Sequence, residues 1–316
     1  MSRKIALVLS GGNAWGSFQF GAIKYIEEEI RKKFLDFDYS IIAGVSVGAL
    51  NGVMLAMEKY DKLKEIWNNI SNDQVYKGKI SWTAIVKILL GAKSVLSNKP
   101  LKGKLDQHVF LKDVKSDKYD LRIGVVLLVS GEYKAFKPSD FDKDEDFRKA
   151  VLASTAIPLI WEPVKEINLK NNLHLENLVD GGVRNVSPLG DILDDDPSEV
   201  IIINCQLSKL EPDTKASKNF LMIAKRSLTE ITINEIFNSD IQEYLTINYL
   251  VEQAKEKGFT LKKKNSEDVY KAYKTILIQP DKDLGDPLDF SQKTIQWRIE
   301  EGYQSAVKAF QGYVLE

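Results

Sequence analysis

The chain has 316 residues, 44% of them hydrophobic, and its 44 basic and 45 acidic side chains give a formal net charge of −1. This composition indicates a folded protein with a packed core and argues against a disordered chain. A net charge near zero also argues against a nucleic-acid-binding field over the whole surface, so no nucleic-acid partner is expected.

The single cysteine, Cys205, lies in an apolar run that indicates a buried strand, so we expect a small core side chain and not a reactive thiol. One cysteine forms no internal disulfide, which fits a reducing compartment. No apolar run reaches the ~18 residues of a membrane span, and the run at residues 5–9 is too short for a signal peptide. We therefore expect a cytoplasmic protein whose contact with membranes is peripheral.

Apolar runs of strand length alternate with helical patterns along the chain. The runs lie at residues 4–9, 39–45, 122–129, 200–205 and 275–279. This alternation predicts an α/β fold, a three-layer α/β/α sandwich around a largely parallel, doubly wound sheet. A ligand site is then expected at the carboxyl ends of the strands. A helical pattern at residues 218–258, ended by a glycine, predicts a helical C-terminal elaboration.

The loop after the first strand reads Ser-Gly-Gly-Asn-Ala-Trp-Gly over residues 10–16, and an amphipathic helical pattern follows it. A strand, a glycine-rich loop and a helix together form an anion cradle, because free N–H groups and the positive end of the helix dipole meet there. The first unit of the chain therefore predicts an anion-binding loop.

Ser46 is the centre of a Gly-Val-Ser-Val-Gly sequence at residues 44–48, between the second strand run and a helix-forming stretch. Strand, sharp turn and helix are the context in which a G-x-S-x-G sequence indicates a nucleophile elbow. The serine lies on a strained turn, so only glycines without a Cβ fit two positions before and after it.

Asp180 ends a short apolar run and is followed by two glycines, over residues 178–182. This carboxylate is a candidate base for the serine, because a serine hydroxyl needs a proton acceptor to become a nucleophile. Histidine, the usual base, occurs only twice in the chain, as His108 and His174.

Together, the motifs at residues 10–16, 44–48 and 178–182 resemble those of the patatin-like phospholipases. Their order and spacing fit that family, with 34 residues from Gly12 to Ser46 and 134 residues from Ser46 to Asp180. Further matches lie at residues 153–158, 162–164 and 185–189. The resemblance predicts a patatin-like catalytic domain at residues 4–210 and a helical extension at residues 211–316 packed on the same body.

The resemblance implies a serine acyl hydrolase that cleaves fatty-acyl ester bonds of lipids or phospholipids. In this family the serine and the aspartate form a dyad without histidine, so Ser46 would be acylated and Asp180 would accept its proton. The N–H groups of Gly11, Gly12 and Asn13 would bind the oxyanion. No cofactor or metal is implied, and the acidic run at residues 140–146 lacks the glycine and glutamate of an EF-hand.

Two positions of the first loop depart from the family pattern, Gly-Gly-Gly-x-Arg/Lys-Gly. Asn13 replaces the third glycine, and asparagine tolerates a left-handed backbone better than most residues. Trp15 replaces the basic residue and supplies no cation. The departures bear on how the loop is fixed, whereas the peptide N–H donors do not depend on these side chains.

Two other functions stay open from the sequence. A general carboxylesterase would use a Ser-His-acid triad, and since no histidine follows Asp180, His174 would be its base with an acid from residues 47–173. His174 lies in a polar, hairpin-like segment, so we expect it at the surface. A non-catalytic protein that binds lipids or anions is the second alternative, because of Asn13 and Trp15.

Residues 75–104 carry seven lysines and no acidic residue, interleaved with aromatic and aliphatic side chains. Such a segment suits an anionic bilayer surface, so we predict a membrane-docking flap beside the active site. The contacts would come from Lys77, Lys79, Trp82, Lys87 and Lys93. The alternative is an amphipathic helix that packs on the body with its lysines in water.

Overall fold

A mixed β-sheet forms the centre of the molecule. The computed structural model describes residues 4–78, 94–158, 160–210, 212–214, 216–218, 222–223, 226–265 and 267–315. Within these ranges the sheet has eight strands: β1 (Ile5–Leu9), β2 (Tyr39–Val45), β3 (Asp120–Leu127), β4 (Tyr133–Phe136), β5 (Val164–Asn168), β6 (His174–Asp180), β7 (Glu199–Ile203) and β8 (Lys274–Ile278).

The strand order is β5-β6-β3-β2-β1-β7-β8, and β4 pairs with β3 outside this path. The pairings among β3, β2, β1, β7 and β8 are parallel, whereas β4, β5 and β6 join through antiparallel pairings. The predicted doubly wound sheet is therefore confirmed for the central strands, and an antiparallel section extends it on one side.

One edge of β3 receives two strands in succession. Along this edge β3 pairs with β2 as far as Val45–Gly124, and the pairing with β6 begins at the next residue, Asp180–Val125. Because β4 overlaps both stretches, β4 lies along the opposite edge. The carboxyl ends of β2 and β6 therefore meet from opposite directions.

Helices cover both faces of the sheet. The longer ones are α1 (Gly16–Tyr25), α2 (Val47–Ala56), α3 (Tyr60–Asn69), α4 (Lys99–His108), α5 (Asp144–Ser154), α6 (Thr232–Glu256) and α7 (Gln292–Ala309). Short α-helical turns are Arg31–Lys33, Asn72–Val75 and Gly190–Leu193; π-helical turns are Ile26–Ile30 and Arg226–Ile231; and 3-10 turns are Asn13–Trp15, Leu111–Asp113, Pro138–Asp140, Lys170–Asn172 and Gly181–Val183. In the described ranges no helix combines the length and apolarity that a bilayer crossing requires.

Alternate side chains of the central strands enter two separate cores. Ile5, Leu7 and Leu9 of β1 pack with α1, α2 and α7, whereas Ala6 and Val8 pack with α6 on the other face. This period of two is what a strand buried on both faces requires. The three-layer α/β/α architecture predicted from the sequence is confirmed.

The five strand runs predicted from the sequence correspond to β1, β2, β3, β7 and β8, and the prediction missed β4 and β5. The helical pattern at residues 218–258 corresponds to a π-turn followed by α6, which ends before Gly258 at φ 79°. Helix α7 packs along α1. The domain division at residues 4–210 and 211–316 stays a prediction.

The contact between α1 and α7 depends on a close backbone approach at Gly302. A Cβ at this position would lie 1.9 Å from the carbonyl oxygen of Phe18. Gly302→Ala must separate the two helices, so we expect it to lower the free energy of unfolding by about 1–3 kcal/mol. Urea unfolding followed by circular dichroism measures the change.

Gly103→Ala is the matched control, since Gly103 lies within α4 and, apart from its own helix, none of the described residues lies within 4 Å of its Cβ position. There alanine should leave stability unchanged or raise it by about 0.5–1 kcal/mol, because glycine is the poorer helix former. Equal unfolding free energies for the two variants would contradict the close approach of α1 and α7.

Candidate active site

Ser46 joins β2 to α2 in a strained conformation, with φ 57° and ψ −126°. Residues with a side chain seldom occupy this region, and they do so mainly at functional sites. The neighbouring glycines allow the turn: a Cβ on Gly44 would lie 2.4 Å from the carbonyl oxygen of Gly48, and a Cβ on Gly48 would lie 2.2 Å from that of Leu9. The backbone therefore has the elbow geometry predicted from the sequence.

The C-terminal end of α5 holds both candidate residues in place. The N–H of Ser46 donates to Oγ of Ser154 at 2.9 Å, and this hydroxyl donates to the carbonyl of Gly124 at 2.7 Å. The N–H of Asp180 donates to the carbonyl of Ala156 at 3.1 Å. Sequence reasoning gave Ser154 and Ala156 no role, and the structure makes them the common support of the elbow and the aspartate.

Asp180 is the last residue of β6 and is only 2% exposed. Its Oδ1 accepts the N–H of Gly182 at 2.8 Å, whereas its buried Oδ2 has no hydrogen-bond partner among the described residues. Burial raises the pKa of Asp180 from its usual value of 3.8 to about 7, although the Gly182 N–H and the Ser46 hydroxyl act in the opposite direction.

The Ser46 hydroxyl is thus close enough to the Asp180 carboxyl to influence its pKa. Oδ2 still lacks a hydrogen bond of normal geometry, so a regular hydrogen bond from the Ser46 hydroxyl has to form before a proton can be transferred. A carboxyl group whose pKa lies near 7 exchanges protons in both directions at neutral pH, which an ordinary aspartate does poorly.

The loop between β1 and α1 borders the serine. A Cβ on Gly11 would lie 3.3 Å from Cβ of Ser46. The N–H of Gly11 donates to the carbonyl of Val186 at 3.2 Å, so it is already paired. In the described part of the chain the N–H groups of Gly12 and Asn13 have no acceptor. Of the three predicted oxyanion donors, Gly12 and Asn13 are therefore the free ones.

The two departures from the family pattern have local explanations. Asn13 has φ 49°, the left-handed conformation that glycine would otherwise supply. The indole N–H of Trp15 donates to the carbonyl of Gly285 at 2.9 Å, and the N–H of Ala14 donates to that of Pro287 at 2.9 Å. The loop is therefore tied to a segment near the C-terminus.

The two histidines lie in different environments. His174 begins β6 at the surface, and its ring nitrogens are 3.1 Å from Oδ1 of Asn168 and 3.1 Å from Oε1 of Glu176. Six strand residues separate it from Asp180, which corresponds to roughly 20 Å. A triad through His174 has no geometric support. His108 ends α4, and its pKa is lowered by burial and by neighbouring lysines.

An apolar cavity of about 110 Å³ is lined by Ser46 and Asn13 and by residues of α2, α3 and α4. Its lining includes Leu50, Val53, Met54, Leu63, Ile66 and Trp67 from α2 and α3, and Phe290 and Trp161 from outside these helices. His108 and Lys104 also line it. The cavity therefore joins a strained serine to a space suited to a hydrocarbon chain.

Half of the predicted membrane-docking flap, residues 79–93, lies outside the described residues, and this half includes Lys79, Trp82, Lys87 and Lys93. Lys77 is described, and it exchanges two backbone hydrogen bonds of 2.9 Å with Ser97.

The model of the patatin-like phospholipase family matches residues 7–193, which is more than half of the chain. The chain belongs to the patatin-like phospholipase family, whose members are generally lipid acyl hydrolases. A comparison with curated proteins finds no match.

Two solved structures are similar over nearly the whole chain. VipD from Legionella pneumophila is 14% identical with a TM-score of 0.45, and the alignment covers 99% of this chain and 67% of VipD. The type III effector protein ExoU is 12% identical with a TM-score of 0.41, and the alignment covers 99% of this chain and 53% of ExoU. The chain thus spans about two thirds of the one and about half of the other.

The buried carboxyl of Asp180 should reduce the stability of the fold at alkaline pH. Its folded-state pKa of about 7 exceeds the usual 3.8, so ionisation between these values costs more in the folded than in the unfolded chain. The unfolding free energy should fall as the pH rises from about 4 to 7. Asp180→Asn removes this loss, and its melting temperature should exceed that of the wild type more at pH 8 than at pH 5.

Differential scanning calorimetry at the two pH values measures this difference. Asp117→Asn is the control, because Asp117 is an exposed residue in the turn that precedes β3. An Asp180→Asn variant that gains nothing at pH 8 would contradict a raised pKa at Asp180.

Proposed function

We propose that the protein is a lipid acyl hydrolase that cleaves fatty-acyl ester bonds of lipids or phospholipids, with Ser46 as the nucleophile and Asp180 as the base. The observation that carries this proposal is a strained serine that lies beside a buried carboxyl group and lines an apolar cavity. Family membership supports the reaction class.

In the first half of the reaction, the oxygen of Ser46 attacks the ester carbonyl while Asp180 accepts the hydroxyl proton. The carbonyl oxygen becomes an oxyanion, which the N–H groups of Gly12 and Asn13 and the positive end of α2 stabilise. The intermediate then collapses, the ester C–O bond breaks, and the leaving alcohol takes the proton from Asp180. The acyl group remains on Ser46.

In the second half, water replaces the alcohol. Asp180 accepts a proton from this water, which attacks the acyl carbonyl and forms a second oxyanion at the same donors. Collapse of this intermediate returns the proton to Ser46 and releases a fatty acid. A base whose pKa is near 7 serves both steps, because it must give up each proton that it accepts.

The apolar cavity is the proposed site of the acyl chain. Each methylene group that leaves water contributes about 0.8 kcal/mol, so a longer chain binds more tightly as long as the cavity has room. Contact with an anionic membrane through Lys77 and the basic segment at residues 75–104 is part of the proposal. The head group and the position of the cleaved ester are not part of it.

Of the alternatives, a non-catalytic binding protein would have no use for a strained serine beside a buried carboxyl group. Neither departure in the loop removes a reacting group, since Asn13 keeps the backbone conformation and Trp15 keeps the loop attached. A Ser-His-acid triad would require His174 to lie near Ser46, and its surface position argues against that.

Substitution of the dyad tests the reaction. Ser46→Ala should abolish turnover of p-nitrophenyl butyrate and labelling by an alkyl fluorophosphonate, and Asp180→Asn should lower turnover by at least about a hundredfold. His174→Ala is the control and should retain the wild-type rate. Adduct mapping by mass spectrometry checks the labelled residue. Labelling at another residue, or an inactive but folded His174→Ala variant, would contradict the dyad.

A substitution in the cavity tests the acyl site. Ile66 of α3 is half-buried and lines the cavity. Ile66→Trp should fill the cavity and lower kcat/KM for p-nitrophenyl palmitate by at least about tenfold, because several methylene groups lose their site. The value for p-nitrophenyl butyrate should change little. Leu35→Trp adds the same bulk at a position that is 91% exposed, and it should alter neither value.

If Ile66→Trp lowers the two kcat/KM values equally, the chain does not occupy this cavity. The ratio of the two substrates separates this outcome from a general loss of activity, since a damaged dyad affects every ester alike.

A further inference from the structure

The oxyanion loop is attached to the C-terminal part of the chain through its own residues. Besides the indole bond from Trp15 to Gly285, the N–H of Ala14 donates to the carbonyl of Pro287. Ala14 follows directly after Asn13, whose N–H is one of the two free donors. The position of residues 284–289 therefore determines where the oxyanion donors lie. We call residues 284–289 the support segment.

Arg298 of α7 holds the support segment from inside the molecule. Its side chain is completely buried, and its guanidinium donates three hydrogen bonds of 2.8 Å, from Nε to the carbonyl of Leu284, from Nη1 to that of Asp289 and from Nη2 to that of Asp286. The rigid planar fork of arginine suits three carbonyls that converge from one turn of chain. These bonds fix the carbonyls of the support segment in one arrangement.

The acidic residues of this segment fold the segment itself. Oδ1 of Asp283 accepts the N–H of Gly285 at 2.9 Å, and Oδ1 of Asp286 accepts that of Leu288 at 3.0 Å. Asp289 accepts the N–H of Ser291 at 2.8 Å. A buried cation is costly unless it is fully hydrogen-bonded, so such a group has a specific use where it occurs. Here its three bonds go to one short stretch of backbone.

We propose that Arg298 is a positioning residue for the oxyanion loop, and that it acts through the support segment and the indole N–H of Trp15. The proposal rests on the proposed function above. The family pattern has a basic residue where this chain has Trp15, and here the cation that fixes the loop comes from α7. Arg298 does not touch the reacting atoms, and its effect is to hold the N–H groups of Gly12 and Asn13 beside Ser46.

Trp15→Phe is the first test, because it removes one N–H donor and keeps an aromatic ring. We expect kcat for p-nitrophenyl butyrate and the rate of fluorophosphonate labelling to fall about tenfold, since a small displacement of reacting groups costs up to about a hundredfold. KM should stay within about twofold, because substrate binding in the cavity does not use the loop donors. Hydrogen exchange in residues 11–16 should become faster.

Trp297→Phe is the matched control. Trp297 precedes Arg298 on α7, is 36% exposed and contacts the solvent-side Lys282. The same chemical change there should leave kcat, labelling and exchange unchanged. A loss of activity in both variants would indicate a general effect of tryptophan removal and would overturn the proposal.

Arg298→Lys is the second test, because lysine keeps the charge but lacks the planar fork. It should lower kcat per titrated active site by about tenfold or more, again with KM nearly constant. Since both residues act through the same segment, the double variant Trp15→Phe/Arg298→Lys should lose less than the product of the two single effects. If the effects of the two substitutions on kcat simply multiply in the double variant, Arg298 and Trp15 do not act through the same segment, and the proposal is overturned.

The proposal fails if Trp15→Phe has wild-type kcat and wild-type exchange in residues 11–16. It also fails if Arg298→Lys lowers only the melting temperature and keeps full kcat per titrated site. Failure of the proposed function gives a different result: the wild type would then not be labelled at Ser46, while hydrogen exchange would still decide whether Arg298 and Trp15 fix the loop.

Discussion

The edge of β3 on which β2 and β6 meet is the constraint on which the candidate site depends. β2 arrives parallel to β3 and ends at Val45, and β6 arrives antiparallel and ends at Asp180 one pairing position further on. The two chain ends therefore converge, and each leads to one residue of the proposed dyad. A shift of β6 by one residue would turn Asp180 to the other face of the sheet, because side chains alternate along a strand. The antiparallel hairpin of β5 and β6 is thus as necessary to the site as the parallel core.

Burial raises the pKa of Asp180, which suits the proposed base, and it also makes the site costly to fold. The carboxyl group has only the Gly182 N–H as a regular donor, and its second oxygen has none within the described ranges. Full solvation or a cationic neighbour would stabilise the ionised form, but either would lower the pKa and weaken the base. The strained backbone of Ser46 adds a further cost of about 1–3 kcal/mol. The two cores on either face of the sheet must offset both costs.

Features set by neighbouring residues could be predicted from the sequence, and those set by distant partners could not. The elbow at Ser46 and the left-handed Asn13 follow from local backbone sterics, so the motifs were sufficient to predict them. The pairing of the Gly11 N–H with Val186 joins residues far apart in the chain, and no local pattern encodes it. β4 and β5 were missed because their half-exposed, partly charged residues lack the continuous apolar pattern of a buried strand. Ser154 lies within residues 153–158, which match the family pattern, but its role depends on its contact with Ser46, a residue far away in the sequence.

The oxyanion loop is connected through the support segment to α7, so this helix is part of the proposed site. An oxyanion hole stabilises charge effectively only if its donors are already in place. If the donors must first reorganise, the free energy of that reorganisation offsets most of the stabilisation. Glycine-rich loops are intrinsically free to move, so their order has to come from outside the loop. In this chain the order comes from a completely buried arginine whose bonds are made to backbone carbonyls, and those carbonyls belong to the segment that receives Trp15 and Ala14. A cation can therefore hold the oxyanion loop in position although it is not one of the loop's own residues.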